Sequence, residues 1–106
     1  MIEVKTKFVA VSTFTIAPEN ITSFSEAARA VMEHDLPTVE GLCEGAVMTD
    51  PERTTVLIVT QWDSQHSWAR ANYEPRIGAA VAGFVQGAMH YDVHTYEPIT
   101  IVRSTR

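Results

Sequence analysis

The chain has little cysteine and no long apolar run, and each of these absences excludes a class of protein. The single cysteine, Cys43, cannot form an internal disulfide, which is typical of a reducing compartment, and we expect it to be a small core residue. No stretch approaches the roughly eighteen uninterrupted apolar residues of a membrane-spanning helix, and the opening residues MIEVKTKFVAV lack the pattern of a secretory leader. We therefore predict a cytoplasmic protein that does not bind a membrane.

Basic residues are also scarce. Lysine and arginine number 8 against 13 acidic residues, which gives a net charge of -5 without any basic run. Nucleic acid is therefore not an expected partner, because binding to a phosphate backbone requires clustered positive charge. The sequence contains no glycine-rich phosphate loop, no Ser/His/Asp order and no paired set of metal ligands, which excludes common nucleotide-binding and hydrolase motifs and predicts no metal.

What the chain does contain is an ordinary globular composition, with 45% hydrophobic and 20% charged residues over 106 positions, and this predicts one domain. Alternation of apolar residues, helical spacing and turn residues together predict the order of elements. The predicted elements are a strand at 7–16, a helix at 18–34, strands at 41–49 and 54–62, helical residues from about 64 to 88 divided at Pro75, and a strand at 89–97.

This order is β-α-β-β-α-β, which is typical of the α+β ferredoxin-like class, in which a four-stranded antiparallel sheet has its helices on one face. The first strand, KFVAVSTFTI, is apolar or β-branched on both of its faces, so we expect the uncovered face of the sheet to be buried as well. A second copy of the chain is the expected partner, and the predicted assembly is a homodimer.

The segment TQWDSQHSWARANYEP contains both tryptophans of the chain, Trp62 and Trp68, on either side of a predicted strand-to-helix junction. Asp63 or Ser64 is expected to cap the helix, so that the turn brings Trp68 back towards Trp62. One interpretation is simple packing at a corner of the core, since tryptophan buries a large area. The other is a flat apolar slot that holds an aromatic ring and orients its oxygen.

Three titratable residues, His90, Asp92 and His94, share one face of the last predicted strand. Histidine is the commonest general base near pH 7, and a carboxylate neighbour fixes its tautomer, so this group is the preferred site of proton transfer. The alternative is a polar face that meets solvent. Residues four apart on a strand are separated by about 13 Å, which is too far for the two histidines to share a metal ion.

The segments TKFVAVSTFTIAP and VTQWDSQHSWARANYEPRI resemble the antibiotic biosynthesis monooxygenase family of dimeric α+β barrels, and the likeness spans nearly the whole chain. The small anthrone and hydroxyanthrone monooxygenases of aromatic polyketide pathways look most similar. The resemblance implies an enzyme without cofactor, flavin, haem or metal, in which a deprotonated aromatic substrate itself reduces O2.

The family's functional residues correspond to this sequence only in part. Trp62 matches the tryptophan at the strand end that donates its indole N–H towards the substrate oxygen, and Trp68 stands where a tyrosine is usual. The position of the family's asparagine is Ile58, and that of its arginine falls near Val81 or Ala82.

Together these observations predict a homodimeric, cofactor-independent monooxygenase that oxidises an aromatic, anthrone-like or quinol-like small molecule with O2. Its predicted catalytic residues are His90, His94 and Trp62, and its predicted substrate-binding residues are Trp62, Trp68, Ser12, Tyr73 and Phe84. The tail, residues 98–106, is expected to contact the partner subunit. Two alternatives stay open, a polyketide cyclase or isomerase on the same fold and a dimer that binds a small ligand without catalysis. The pattern leaves open the substrate's identity and which face of the last strand lines the cavity.

Overall fold

The structure, a computed structural model, describes residues 5–106. Residues 1–4, which begin the segment in which we predict no leader, lie outside the described residues. Within 5–106, no helix has both the length and the apolar character needed to cross a membrane. The strands and α-helices are, in order, β1 (Phe8–Thr15), α1 (Ile21–Ala30), β2 (Leu42–Thr49), β3 (Thr55–Trp62), α2 (Gln65–Ala71), α3 (Pro75–Gly87) and β4 (His90–Tyr96).

The strands form one sheet in the order β2-β3-β1-β4, and each neighbouring pair is antiparallel. β1 lies inside the sheet, where Ser12 is level with Ile58 of β3 and with Val93 of β4. This arrangement confirms the predicted ferredoxin-like class. Pro75 begins α3 and separates it from α2, because a proline without an N–H fits the first position of a helix but not its interior.

The first helical region changes its winding before it ends. α1 buries Ile21, Phe24 and Ala28 at helical spacing, and the chain then continues as one wide π-helical turn, Val31–Asp35. A short 3-10 turn that contains Pro37 follows and ends the helical region. Single π-helical turns occur frequently at functional sites, and here the turn places Val31 against the core.

β2 and β3 form the predicted hairpin, and Asp50 organises its turn. The carbonyl oxygen of Asp50 accepts a hydrogen bond from the Arg53 N–H at 2.9 Å, and its carboxylate accepts bonds from the N–H groups of Thr54 and Thr55 and from the Thr54 hydroxyl. These bonds, led by the one from the Thr55 N–H, lower the pKa of Asp50 from 3.8 to about 2. Arg53 adopts a positive φ of 57° to complete the turn.

The core consists of two clusters of buried side chains that meet at Val31. In the first cluster, the rings of Phe14 and Phe84 each pack against Phe24 with centroids 5.3 Å apart. The second cluster surrounds Trp62 at the other end of the sheet, and its remaining buried members are Phe8, Leu36, Ala71 and Ile77.

Cys43 does not belong to either cluster, so the prediction of a core cysteine is wrong. The side chain is exposed on β2, an edge strand of the sheet. The physical reason is a β-bulge between Leu42 and Glu44, in which Cys43 is the extra residue and has no partner on β3.

The face of the sheet opposite the helices carries apolar side chains in its two central strands. Val9 and Val11 of β1 and Leu57 and Val59 of β3 share this face, which we call the open face, and Val11 is level with Val59. The four side chains are only half-buried in the single chain, although β1 and β3 lie inside the sheet. The open face therefore presents apolar surface at its centre.

Candidate functional site

A cavity of about 90 Å³ lies between the sheet and the helices, where the two core clusters meet. Its walls come from β1, β3 and β4, from the π-helical turn and from α2 and α3. Among the described residues that line it, none is charged. The polar side chains in its wall are Ser12, Thr60, Trp62, Trp68, Asn72 and Tyr91.

The cavity has an exposed rim between α2 and α3. Asn72 is exposed there, Val81 is 39% exposed, and Trp68 is half-buried. The cavity volume of about 90 Å³ is smaller than the roughly 150 Å³ of an engineered cavity that holds benzene. A fused aromatic ligand must therefore extend through this rim or displace the surrounding side chains.

Trp62 is the innermost of the two tryptophans. It ends β3, is level with Phe8 of β1 and is only 2% exposed. Its indole N–H donates a hydrogen bond of 2.8 Å to the side-chain oxygen of Thr60, two residues earlier on the same face of β3. The single donor of this indole is therefore already engaged within the protein.

The junction after Trp62 forms as predicted and directs Trp68 towards the sheet. Ser64 caps α2, because its side-chain oxygen accepts a 3.0 Å hydrogen bond from the Ser67 N–H. The Asp63 N–H donates to the carbonyl oxygen of Gly41 at 2.9 Å. Gly41 has a φ of 91° and lies so close to Ser67 that a Cβ atom would collide with it, so only glycine fits here.

Both tryptophans line the same cavity, as do the predicted site residues Ser12 and Phe84. The ring of Trp68 packs against that of Phe8, with centroids 5.3 Å apart, and Trp62 belongs to the same cluster. This location agrees with both interpretations of the sequence, because the two indole rings pack a corner of the core and also form part of a cavity wall. That they bind a substrate stays a prediction.

Tyr73, by contrast, does not reach the cavity. It lies in the short connection between α2 and α3 and is 87% exposed. Its N–H donates to the carbonyl oxygen of Arg70, which continues the end of α2 into a turn. The structure therefore corrects the prediction that the Tyr73 hydroxyl reaches a ligand.

The predicted bases, His90 and His94, lie on the wrong face of β4 for the cavity. Tyr91 and Val93 line the cavity, and alternation along the strand places both histidines on the open face with Asp92. Their shared face and the contact between His90 Nε2 and Asp92 Oδ2, at 3.2 Å, agree with the sequence. The placement of the pair in the cavity does not.

Three polar residues of the cavity wall, Thr60, Asn72 and Tyr91, are not among the site residues predicted from the sequence. Thr60 carries a signal that period-two alternation could have shown, because it lies between Ile58 and Trp62 on one face of β3. Tyr91 follows from the same rule only once the inward face of β4 is known. Asn72 carries no such signal, since its place at the rim depends on how α2 ends.

A comparison with protein-family models matches residues 7–83, more than half of the chain, to the family described as antibiotic biosynthesis monooxygenase. The match covers β1 through most of α3 and includes the junction between Trp62 and Trp68. No curated protein matches the chain significantly.

Solved structures of similar fold cover nearly the whole chain. A Streptomyces coelicolor monooxygenase from the gene ActVA-Orf6, solved with the ligand nanaomycin D, is 21% identical, with a TM-score of 0.80 and 95% of each chain covered. Rv0793 from Mycobacterium tuberculosis is 9% identical, with a TM-score of 0.81 and coverage of 91% of this chain and 98% of its own. PA3566 from Pseudomonas aeruginosa is 13% identical, with a TM-score of 0.77 and coverage of 92% and 99%. At these identities the likeness shows a shared fold.

Proposed function

Because the chain belongs to the antibiotic biosynthesis monooxygenase family, we propose that it is a cofactor-independent monooxygenase that oxidises an aromatic, anthrone-like or quinol-like small molecule with O2. The observation that carries the proposal is the uncharged cavity in whose wall Trp62, Trp68 and Phe84 lie together. Aromatic side chains of this kind suit the flat faces of a fused ring system. The S. coelicolor protein of the same fold, solved with nanaomycin D, supports a small-molecule ligand.

For an anthrone, the reaction converts the methylene carbon of the central ring to a carbonyl. The carbon loses two hydrogens and gains one oxygen atom from O2, and the other oxygen atom leaves with the two hydrogens as water. The substrate supplies the electrons once it has lost a proton. The protein has to exclude water, so that the anion reacts with O2, and to position the ring.

The residues of the cavity are better suited to positioning the ring than to taking the proton from the substrate. Its wall offers hydroxyl and indole groups but no carboxylate or imidazole, and His90 and His94 face the other side of the sheet. We therefore propose that this chain accelerates oxidation chiefly by binding the substrate in an apolar site. The proton then passes to solvent water at the rim between α2 and α3, where Asn72 is exposed.

The open face supports the proposed homodimer. Half-buried Val11 and Val59 form a level pair in the two central strands, and a second sheet packed against them would remove this apolar surface from water. The tail carries further exposed apolar side chains, with Ile99 101% and Val102 88% exposed. We propose that the tail contacts the partner subunit, as the sequence predicts.

A second candidate function is the binding of a small ligand without turnover. The observation that favours it is the absence of any charged side chain among the described residues of the cavity wall. Reaction types that need a protein acid or base, including a cyclase or isomerase, are less well served by such a wall.

Oxygen uptake tests these candidates directly. Purified protein treated with a chelator is mixed with a panel of anthrones and hydroquinones while dissolved O2 is recorded. The proposal expects uptake that persists after chelation and falls in Trp68→Ala, which removes a ring from the cavity wall. Tyr73→Ala is the matched control, because it removes an aromatic residue that lies outside the cavity. Ligand binding without uptake across the panel would favour the binding protein.

A further inference from the structure

Thr60 is one of the polar residues in the cavity wall. Its side chain is 8% exposed, and its oxygen accepts the 2.8 Å hydrogen bond from the Trp62 indole N–H. Both residues line the cavity. A buried donor and acceptor thus form a fixed pair on one face of β3.

This pair leaves one hydrogen-bond donor available. The indole N–H has a single proton, which is directed at Thr60, whereas the Thr60 hydroxyl accepts that bond and retains its own proton. Among the hydrogen bonds within residues 5–106, the Thr60 hydroxyl donates none. The residues level with it on the flanking strands are Ala10 and Gly45, and neither has a side-chain acceptor.

We propose that the Thr60 hydroxyl binds an acceptor oxygen of the ligand, so that a chain of two hydrogen bonds runs from Trp62 through Thr60 to the ligand. This proposal rests on the proposed function of the same cavity. The ligand group is a carbonyl or phenolate oxygen, because a ligand that donated to Thr60 would leave the threonine proton without a partner. The bond from Trp62 polarises the threonine hydroxyl and strengthens its donation.

This arrangement gives Thr60 the contact with the ligand and gives Trp62 a positioning role. The hydroxyl donates to the ligand oxygen, while the indole N–H orients that hydroxyl. Removing the threonine hydroxyl should therefore lower the preference for an oxygen-bearing ligand more than removing the indole N–H does.

The test compares two ligands that differ in one oxygen. Anthrone carries a carbonyl where 9,10-dihydroanthracene carries a methylene, and binding of both is measured by quenching of tryptophan fluorescence without O2. We call the ratio of the two Kd values the carbonyl preference. Thr60→Val keeps the side-chain volume but removes the hydroxyl, and it is made in the Trp62→Phe background so that no indole N–H is freed. It should lower this preference about tenfold relative to Trp62→Phe, the factor expected for one ordinary hydrogen bond. Thr60→Ser keeps a hydroxyl and should stay within about twofold of the wild type.

Trp62→Phe separates the two roles, and Trp68 still reports binding in that variant. The proposal expects the carbonyl preference to fall only about twofold, since Thr60 still donates and loses only its polarisation. If the carbonyl preference falls as much as about tenfold in Trp62→Phe, the indole is the donor to the ligand and the proposal is wrong. This result decides the question even where Thr60→Val fails to fold. Equal weakening of both ligands in Thr60→Val, or a wild type without carbonyl preference, would overturn it as well.

The assay is independent of turnover. If the wild type consumes no O2 but Thr60→Val loses the carbonyl preference, the monooxygenase proposal fails and the Thr60 contact stands. If O2 uptake is present while Thr60→Val keeps the preference, the contact fails and the monooxygenase stands.

Discussion

The thioether of Met32 lies directly over Gly45, so that a Cβ atom on Gly45 would stand 2.5 Å from the sulfur. Met32 belongs to the π-helical turn and also lines the cavity, whereas Gly45 belongs to the edge strand β2. The absence of a side chain at Gly45 therefore gives Met32 the room to lie beside the cavity rather than within it.

Replacing Gly45 with alanine should displace Met32 and narrow the cavity. Overpacking costs roughly 1–3 kcal/mol of folding stability, and flexible methionine should keep this loss near the lower value. The displaced thioether should also lower the affinity for anthrone. Calorimetric titration measures the affinity. Gly45→Ala combined with Met32→Ala removes the displaced side chain and should restore binding, and a double variant that binds no better than Gly45→Ala would contradict this explanation.

Gly83 offers a contrasting glycine, because a Cβ atom there would meet nothing within 4 Å. It lies inside α3, where glycine costs about 0.5–1 kcal/mol relative to alanine. Gly83→Ala should raise the free energy of unfolding by that amount in a urea titration and leave ligand affinity unchanged. A loss of affinity would show instead that α3 needs this glycine in order to bind the ligand.

The turn of the hairpin should make stability depend on pH in the acid range. The pKa of Asp50 is lowered from 3.8 to about 2 in the folded chain, so its carboxylate stabilises the fold above the ordinary pKa. This contribution should be lost as the pH falls from about 4 to about 2, because the protonated group accepts the bonds from Thr54 and Thr55 less well.

Asp50→Asn tests this dependence through the melting temperature at pH 6 and at pH 3. The variant should melt lower than the wild type at pH 6, and the difference should shrink at pH 3. Glu52→Gln, which removes a carboxylate in the same turn, serves as the control. A constant difference across both pH values would contradict the role of the Asp50 charge.

The double variant His90→Ala, His94→Ala tests the placement of the predicted bases. Since both histidines lie on the open face, oxygen uptake per protein chain should stay within about twofold of the wild type and should keep its pH profile. The assay is run at a protein concentration at which light scattering shows an unchanged oligomer. A change of activity of about a hundredfold or more, the usual size of a general-base contribution, would return these residues to the catalytic site.

The open face should fail to pair when a charge is placed at its centre. Val59 lies at its centre, level with Val11 and Ala46, so Val59→Lys would bury an ammonium group in the proposed dimer interface. The variant should elute as a monomer, and light scattering combined with size exclusion gives the mass. Ala79→Lys places the same charge on the exposed side of α3 and should leave the dimer intact. If the wild type is itself monomeric, the proposed interface does not form.

The sequence alone determined the order of the elements and the character of the junction. Alternation in β1, the aspartate and proline of the hairpin turn, Pro75 and the cap at Ser64 act through neighbouring residues, and local rules therefore predicted the ferredoxin-like class. The segments 6–18 and 59–77 together also predicted the family.

Only the tertiary structure decided which side chains meet in the cavity. Alternation assigns the side chains of β4 to two faces but does not show which face lines the cavity. The pairing of β4 with β1 places Tyr91 in the cavity wall and His90 on the open face. The bulge that exposes Cys43 and the bond that joins Trp62 to Thr60 likewise depend on register and on side-chain conformation. These features arise from contacts between strands and between side chains, and the local pattern of residues does not contain them.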